Sequence, residues 1–273
     1  MISRIVFLTT LFISLSSGAR AGWIIQQVIS STSPQGPANQ RIYSTNYFSK
    51  DRFKAVQDSS ILIINYNTGR ISVSDRARKL YWGGTIDEYI NGIRDSMAQA
   101  KRDMEASMKN MPPEQRRAVE EEMRKSRGPT KVGRVSIEKT SDRQTIAGYR
   151  ATKYNVYLDE NSHQEIWISE DLDISKDMDM KNIQDFQNRI SGAVGSVYSD
   201  QAAGVERSSE YQSLFEKGYP LKIVHVVGQS RGTIVVTDVR ETDLADREFE
   251  VPEGYRRTTL QEVIRTSGSG EGR

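Results

Sequence analysis

The sequence predicts an α+β fold, a single curved antiparallel sheet with helices along one side. Three observations carry that prediction. Residues 23–82 read as short strand-like runs separated by Gly, Asn, Asp and Pro. Residues 85–127 switch to apolar positions three and four apart, the helical period. Strand-like runs resume at Val132 and frame two shorter helical stretches and a closing hairpin. That order fits sequential antiparallel pairing and excludes a parallel doubly wound sheet, whose strands and helices alternate.

The chain opens on a leader-like segment. Arg4 supplies a positive charge, residues 5–15 form a largely apolar, uncharged run, and Ala19 and Ala21 stand at the −3 and −1 positions of a signal-peptidase site. The expectation is cleavage after Ala21, a mature start at Gly22, and export to the periplasm or beyond. The apolar run is shorter than the roughly 20 residues a membrane-spanning helix needs, and no later stretch reaches that length. With no cysteine in the chain, neither a lipidated N-terminal Cys nor a disulfide framework is available. Without Arg4 and Arg20 the basic and acidic residues balance, so no basic field points to nucleic acid or an anionic membrane. The expected layout is one domain over residues 22–265 with a helical insertion at 85–128, and a disordered Gly/Ser tail at 266–273.

Taken in order, strands are expected at residues 23–31, 41–49, 53–57, 61–66 and 71–73. Thr85-Ile-Asp-Glu88 matches a capping box, with a hydroxyl able to accept a backbone N–H and a carboxylate able to reach back. Ile86, Ile90, Ile93, Met97, Ala100, Met104, Met108 and Met111 follow on one stripe, a helix of about seven turns and roughly 40 Å. Pro112-Pro113 ends it and starts a second, polar helix over 114–127, where Val119 and Met123 are the large apolar residues. Strands return at 134–140, 152–158 and 164–169. Ile183, Phe186, Ile190 and Val194 mark another helix, and residues 208–217 a short one, with Gly218 placed for a C-terminal cap. A hairpin of residues 221–227 and 233–242 completes the pattern. Trp23, Ile25, Leu62, Ile64, Tyr154, Trp167, Ile223 and Val235 are the expected buried positions of the sheet.

Chemistry-bearing patterns are sparse. The two histidines, His163 and His225, stand 62 positions apart with no Gly-x-Ser-x-Gly elbow and no zinc-ligand spacing. The acidic stretch from Glu170 to Asp179 lacks the Gly and terminal Glu of a calcium loop, and Asp177 and Asp179 suit the positive end of the helix ahead of Ile183. No Gly-rich phosphate loop occurs. The expectation is a non-enzymatic protein without metal or cofactor. The most unusual remaining feature is the methionine stripe, because methionine adapts to irregular apolar partners.

Gly148-Tyr-Arg-Ala-Thr-Lys-Tyr154, Glu165-Ile-Trp-Ile-Ser169, Lys217-Gly-Tyr-Pro220 and Phe249-Glu-Val-Pro-Glu-Gly-Tyr255 occur in this order. Together they resemble a bacterial exported family described only as a domain of unknown function. Its pattern is similar to the LolA/LppX superfamily, an open antiparallel half-barrel covered by helices whose cavity carries acyl chains. The resemblance covers most of residues 22–260 and implies a half-barrel under a helical lid. Two functions follow as expectations. One is a periplasmic carrier or sensor holding an apolar or acylated ligand against Ile90, Ile93, Met97, Met104 and Met108. The other is a module with a packed interior that docks an envelope protein.

Overall fold

The computed structural model describes residues 20–32, 40–126, 133–194, 205–206, 208–227 and 230–267. Most of the expected leader, the Pro-rich loop after residue 32, Gly128-Pro129 and the tail from residue 268 lie outside the described residues. The first half of the chain contributes β1 (Arg20–Thr32), β2 (Gln40–Ser49), β3 (Arg52–Gln57), β4 (Ser60–Asn65), β5 (Arg70–Asp75) and β6 (Leu80–Thr85). The helices α1 (Ile86–Lys109) and α2 (Pro113–Ser126) follow. The second half contributes β7 (Val135–Ile146), β8 (Tyr149–Leu158), β9 (Asn161–Ser169), α3 (Met180–Val194) and α4 (Ser209–Phe215). Last come β10 (Tyr219–Val227), β11 (Ser230–Leu244), β12 (Arg256–Arg257) and α5 (Leu260–Ser267).

All twelve strands join one open sheet in the order β12-β6-β5-β4-β3-β2-β1-β11-β10-β9-β8-β7. Both halves meet along β1 and β11, where Ile25 stands opposite Val239. Every pairing is antiparallel except the short β12–β6 contact. Within β1–β6 and within β7–β11, neighbours in sequence are neighbours in space, as short turns require. Arg20 and Ala21, the last two residues of the expected leader, begin β1 opposite Leu244 and Asp243. Ten of these strands correspond to the runs read from the sequence, and the two it missed are β6 and β12. β6 is interrupted by Gly83 and Gly84 and β12 has two residues, so neither alternates legibly. β7 also runs on to Ile146, past a register shift between Lys139 and Arg143.

Register assigns the faces, because residues directly opposite on antiparallel strands point to the same side. Trp23, Phe48, Phe53, Ile64 and Ile71 form one cross-strand row, and Tyr154, Ile166, Ile223 and Ile234 another. These rows lie on the helix-bearing face. Of the expected buried positions, Trp23, Ile25, Ile64 and Tyr154 are buried there, with Leu62 and Ile223 half-buried. Trp167 and Val235 are corrected: both stand opposite Lys222 and project from the other face. A one-residue register difference accounts for it, since each step along a strand reverses the side chain.

That other face is covered in part by the C-terminal chain. Leaving β11, residues 245–255 cross to the far edge. On the way Lys54 Nζ donates to the Glu248 carbonyl at 2.7 Å, and Arg52 pairs with Asp246 at 2.9 Å and lies 5.7 Å from the Phe249 ring. On the same face as Lys54, Ile61 and Ile63 are each only 5% exposed. β12 then pairs with β6, and α5 packs on β5, β6 and α1 with Val263 fully buried. The C-terminus therefore clasps both faces of the β4–β6 edge. Thr266 and Ser267, placed in the tail by the sequence reading, close α5 instead.

The acidic stretch is held by individual partners. Glu170 meets Lys139 and Asp171 meets Arg150, each at 3.3 Å. Asp177 accepts from the Trp23 indole at 2.9 Å, and Asp179 accepts from Asn182 ahead of α3. Asp179 thus serves the helix start as expected, while Asp177 serves the core.

Candidate functional site

α1 starts where its sequence signals it. Thr85 Oγ1 accepts from the Glu88 N–H at 3.1 Å, and the Thr85 N–H donates to Glu88 Oε2 at 2.7 Å, a complete capping box. Those hydrogen bonds hold the Glu88 carboxyl below its ordinary pKa. Gly84 before it has no room for a side chain, because a Cβ there would come within 2.5 Å of the Trp82 ring.

The stripe that follows changes environment along its length. Ile86 and Ile90 are buried in a cluster with Ile64 and Ile71, flanked by Phe186 and Ile190 of α3. Burial of each isoleucine is worth about 1.5–3 kcal/mol. Asp87 pairs with Arg189, adding a polar tie between α1 and α3. Ile93 and Met97 are half-buried at the margin of this cluster. Beyond Met97 the helix parts from the body of the protein: every residue from 98 to 107 is exposed, Met104 at 39%. Met108 and Met111 are half-buried again at the elbow to α2.

The elbow is fastened by one side chain. Arg116 of α2 donates to the Met108 carbonyl through Nε and to Lys109 through Nη2, each at 3.0 Å, and through Nη2 to Met111 at 3.3 Å. These are carbonyls that a helix end leaves without intrahelical donors. The five predicted site residues thus stand in file over about 27 Å of helix, at 1.5 Å per residue. Ile90 is in the core, Ile93 and Met97 are at its edge, and Met104 and Met108 lie on a projecting arm.

Two clefts among the described residues lie elsewhere and are open and polar. One follows the β7 register shift, between Lys139, Arg143, Arg150 and Glu170. The other lies beside the start of α1, between Arg70, Glu88, Arg257 and Leu260. None of the five stripe residues lines either cleft.

A buried polar chain escaped sequence reasoning altogether. Tyr211 of α4 donates its hydroxyl to Gln164 Oε1 at 3.0 Å, and Gln164 Nε2 lies 3.1 Å from His225 Nδ1. Gln164 is 2% exposed. Its partners are 47 and 61 positions away, too far for any local spacing to reveal them. Burial pushes the Tyr211 phenol up to values where it stays protonated, and pushes His225 down from its ordinary value.

An open antiparallel sheet with its helices on one face and a long projecting helix defines the class. Residues 96–255 match the domain of unknown function DUF4412, and the chain belongs to that family. The matched part begins within α1 and contains the projecting arm, β7 to β11 and the C-terminal crossing. Comparison with curated proteins finds no match. Similar solved structures include PNGF-II, at 12% identity and TM-score 0.34 over 91% of this chain and 34% of that one. The MucA/MucB complex of Pseudomonas aeruginosa is similar at 11% identity and TM-score 0.35, over 88% and 59%. The LolA superfamily protein NE2245 from Nitrosomonas europaea is similar at 6% and 0.29, over 84% and 90%. The chain spans about a third of the length of the first of these. At such scores the fold description rests on the strand order itself.

Proposed function

We propose that the protein is a non-catalytic docking module of the bacterial cell envelope, and that a partner protein's apolar segment seats on the methionine face of the projecting half of α1. The single observation behind this reading is the exposure of residues 98–107 with Met104 in their midst. A helix that stands off its sheet contributes no packing to its own fold, and short isolated helices are marginal in water. Ala100, Met104 and Met108 continue the core stripe there at helical spacing, as in helices that lie in a partner's groove. Flexible methionine suits a face that must fit a surface of irregular shape.

A second reading keeps the carrier, with an acyl chain along Ile90, Ile93, Met97, Met104 and Met108. The half-burial of Ile93 and Met97 favours it, since a chain beside them is shielded on one side. One experiment separates the two. A photoreactive amino acid at position 104, irradiated in cells, gives a discrete protein adduct on the docking reading. Adducts of lipid mass support the carrier instead, and neither product sinks both. Ala100→Glu, on the exposed part of the same face, should abolish the protein adduct while stability changes by no more than about 0.5 kcal/mol.

A further inference from the structure

We infer that the hydrogen-bond chain Tyr211–Gln164–His225 is an acid-sensitive latch holding α4 on the sheet. α4 lies on the helix-bearing face over β8 and β9, where Tyr211 and Leu214 pack with Tyr154, Val156, Ile166 and Ile168. The Tyr211 hydroxyl gives this helix a polar attachment to the sheet, through an amide that is itself buried. That amide is oriented by His225. With Gln164 Oε1 accepting from Tyr211, Nε2 donates, so His225 Nδ1 is an acceptor and the ring is neutral with its proton on Nε2.

Protonation of His225 turns Nδ1 into a donor, and two donors then face each other across 3.1 Å. The amide can restore that contact only by turning over; its NH2 then donates to the Tyr211 oxygen, and the buried phenolic proton loses its acceptor. Either outcome weakens the anchor of α4 by one buried hydrogen bond. The charged and titratable groups around the ring act in the same sense or stand apart. His163 on β9 opposes a positive charge on His225, and burial lowers the pKa of both rings. On β11 the residue opposite His225 is Gly232, and Arg231 stands opposite Val226. Beyond the amide, Tyr211 couples to Glu206, whose carboxyl is pushed up by burial. On α4 itself Glu210 is exposed and accepts from Ser209.

The direction of the pH effect follows. The folded protein holds His225 below its ordinary value of 6.5, so stabilisation by the neutral ring is present above that value. It is lost as the pH falls below it, because the unfolded or undocked state takes up the proton first. The inference stands independently of the docking face on α1.

Amide hydrogen exchange along α4 tests it, compared at about pH 7.5 and about pH 5 after correction for intrinsic rates. Protection of α4 in the intact chain should fall about ten-fold in acid, the scale of one buried hydrogen bond. Protection of β1 should hold. His225→Gln keeps an acceptor for Gln164 without a titrating ring, and its α4 should stay protected at both pH values. His163→Gln should behave like the unaltered chain. An unaltered chain with no acid loss overturns the inference, as does an equal loss in His225→Gln.

Discussion

Gly218 has a backbone φ of +149° and sits against the Ser169 carbonyl, where an added Cβ would overlap backbone atoms. Neither neighbour is a flexible side chain that can swing away, so the main chain itself must shift. Gly218→Ala should therefore destabilise by more than the roughly 1 kcal/mol typical of a point mutation, read by urea denaturation. A change within about 0.5 kcal/mol would show that the β9–α4 junction is looser than described. The sequence pattern predicts a left-handed helix cap at Gly218, but α4 caps at Glu216 and Gly218 serves the approach to β9 instead. Its tight approach to β9 is a contact between residues 49 positions apart, which no local pattern encodes. The same limit hid the Asp177–Trp23 bond and the partners of Gln164.

Among the elements, α1 shows how far periodicity reads. Spacing of three and four located the stripe from Ile86 to Met111, and the capping box located its start. Periodicity reports which residues share a helix face and does not report what that face meets. Ile90 and Met104 belong to one stripe, yet one is 6% exposed and the other 39%. Ile90→Ala should cost about 2–5 kcal/mol, as loss of a core aliphatic side chain does. Met104→Ala should cost at most about 0.5 kcal/mol. Similar costs at both positions would mean that the outer half of α1 is packed. Strand faces were legible where alternation is clean, as in β8 from Tyr154 to Leu158, and misassigned for Trp167 and Val235, where apolar residues run consecutively along β9 and β11.

At the scale of the molecule, an open sheet must protect the face its helices leave bare, and the C-terminal clasp does so over β3 to β6. Its own Leu260 and Val263 are buried, together worth about 3–6 kcal/mol, a large part of a domain's usual 5–15. Truncation after Leu244 should therefore abolish the cooperative thermal transition, followed by circular dichroism. A sharp transition in the truncated chain would show that the sheet stands without the clasp. The Phe249-to-Tyr255 motif owes its residues to this crossing, a role visible only once the strand order is known. The order of elements foretold the antiparallel sheet and the helical insertion. It left open how the insertion lies, because a stripe that suits a lid equally suits an arm.

Hydrogen exchange resolved along α1 tests the arm most directly. Amides near Ile90 and Ile93 should exchange as slowly as those of β5. Amides of residues 98–107 should exchange at least about 100-fold faster in the isolated protein, as frayed segments do relative to a core. Uniform slow exchange along the whole helix would contradict the account, because the methionine face would then already be covered by the chain's own residues.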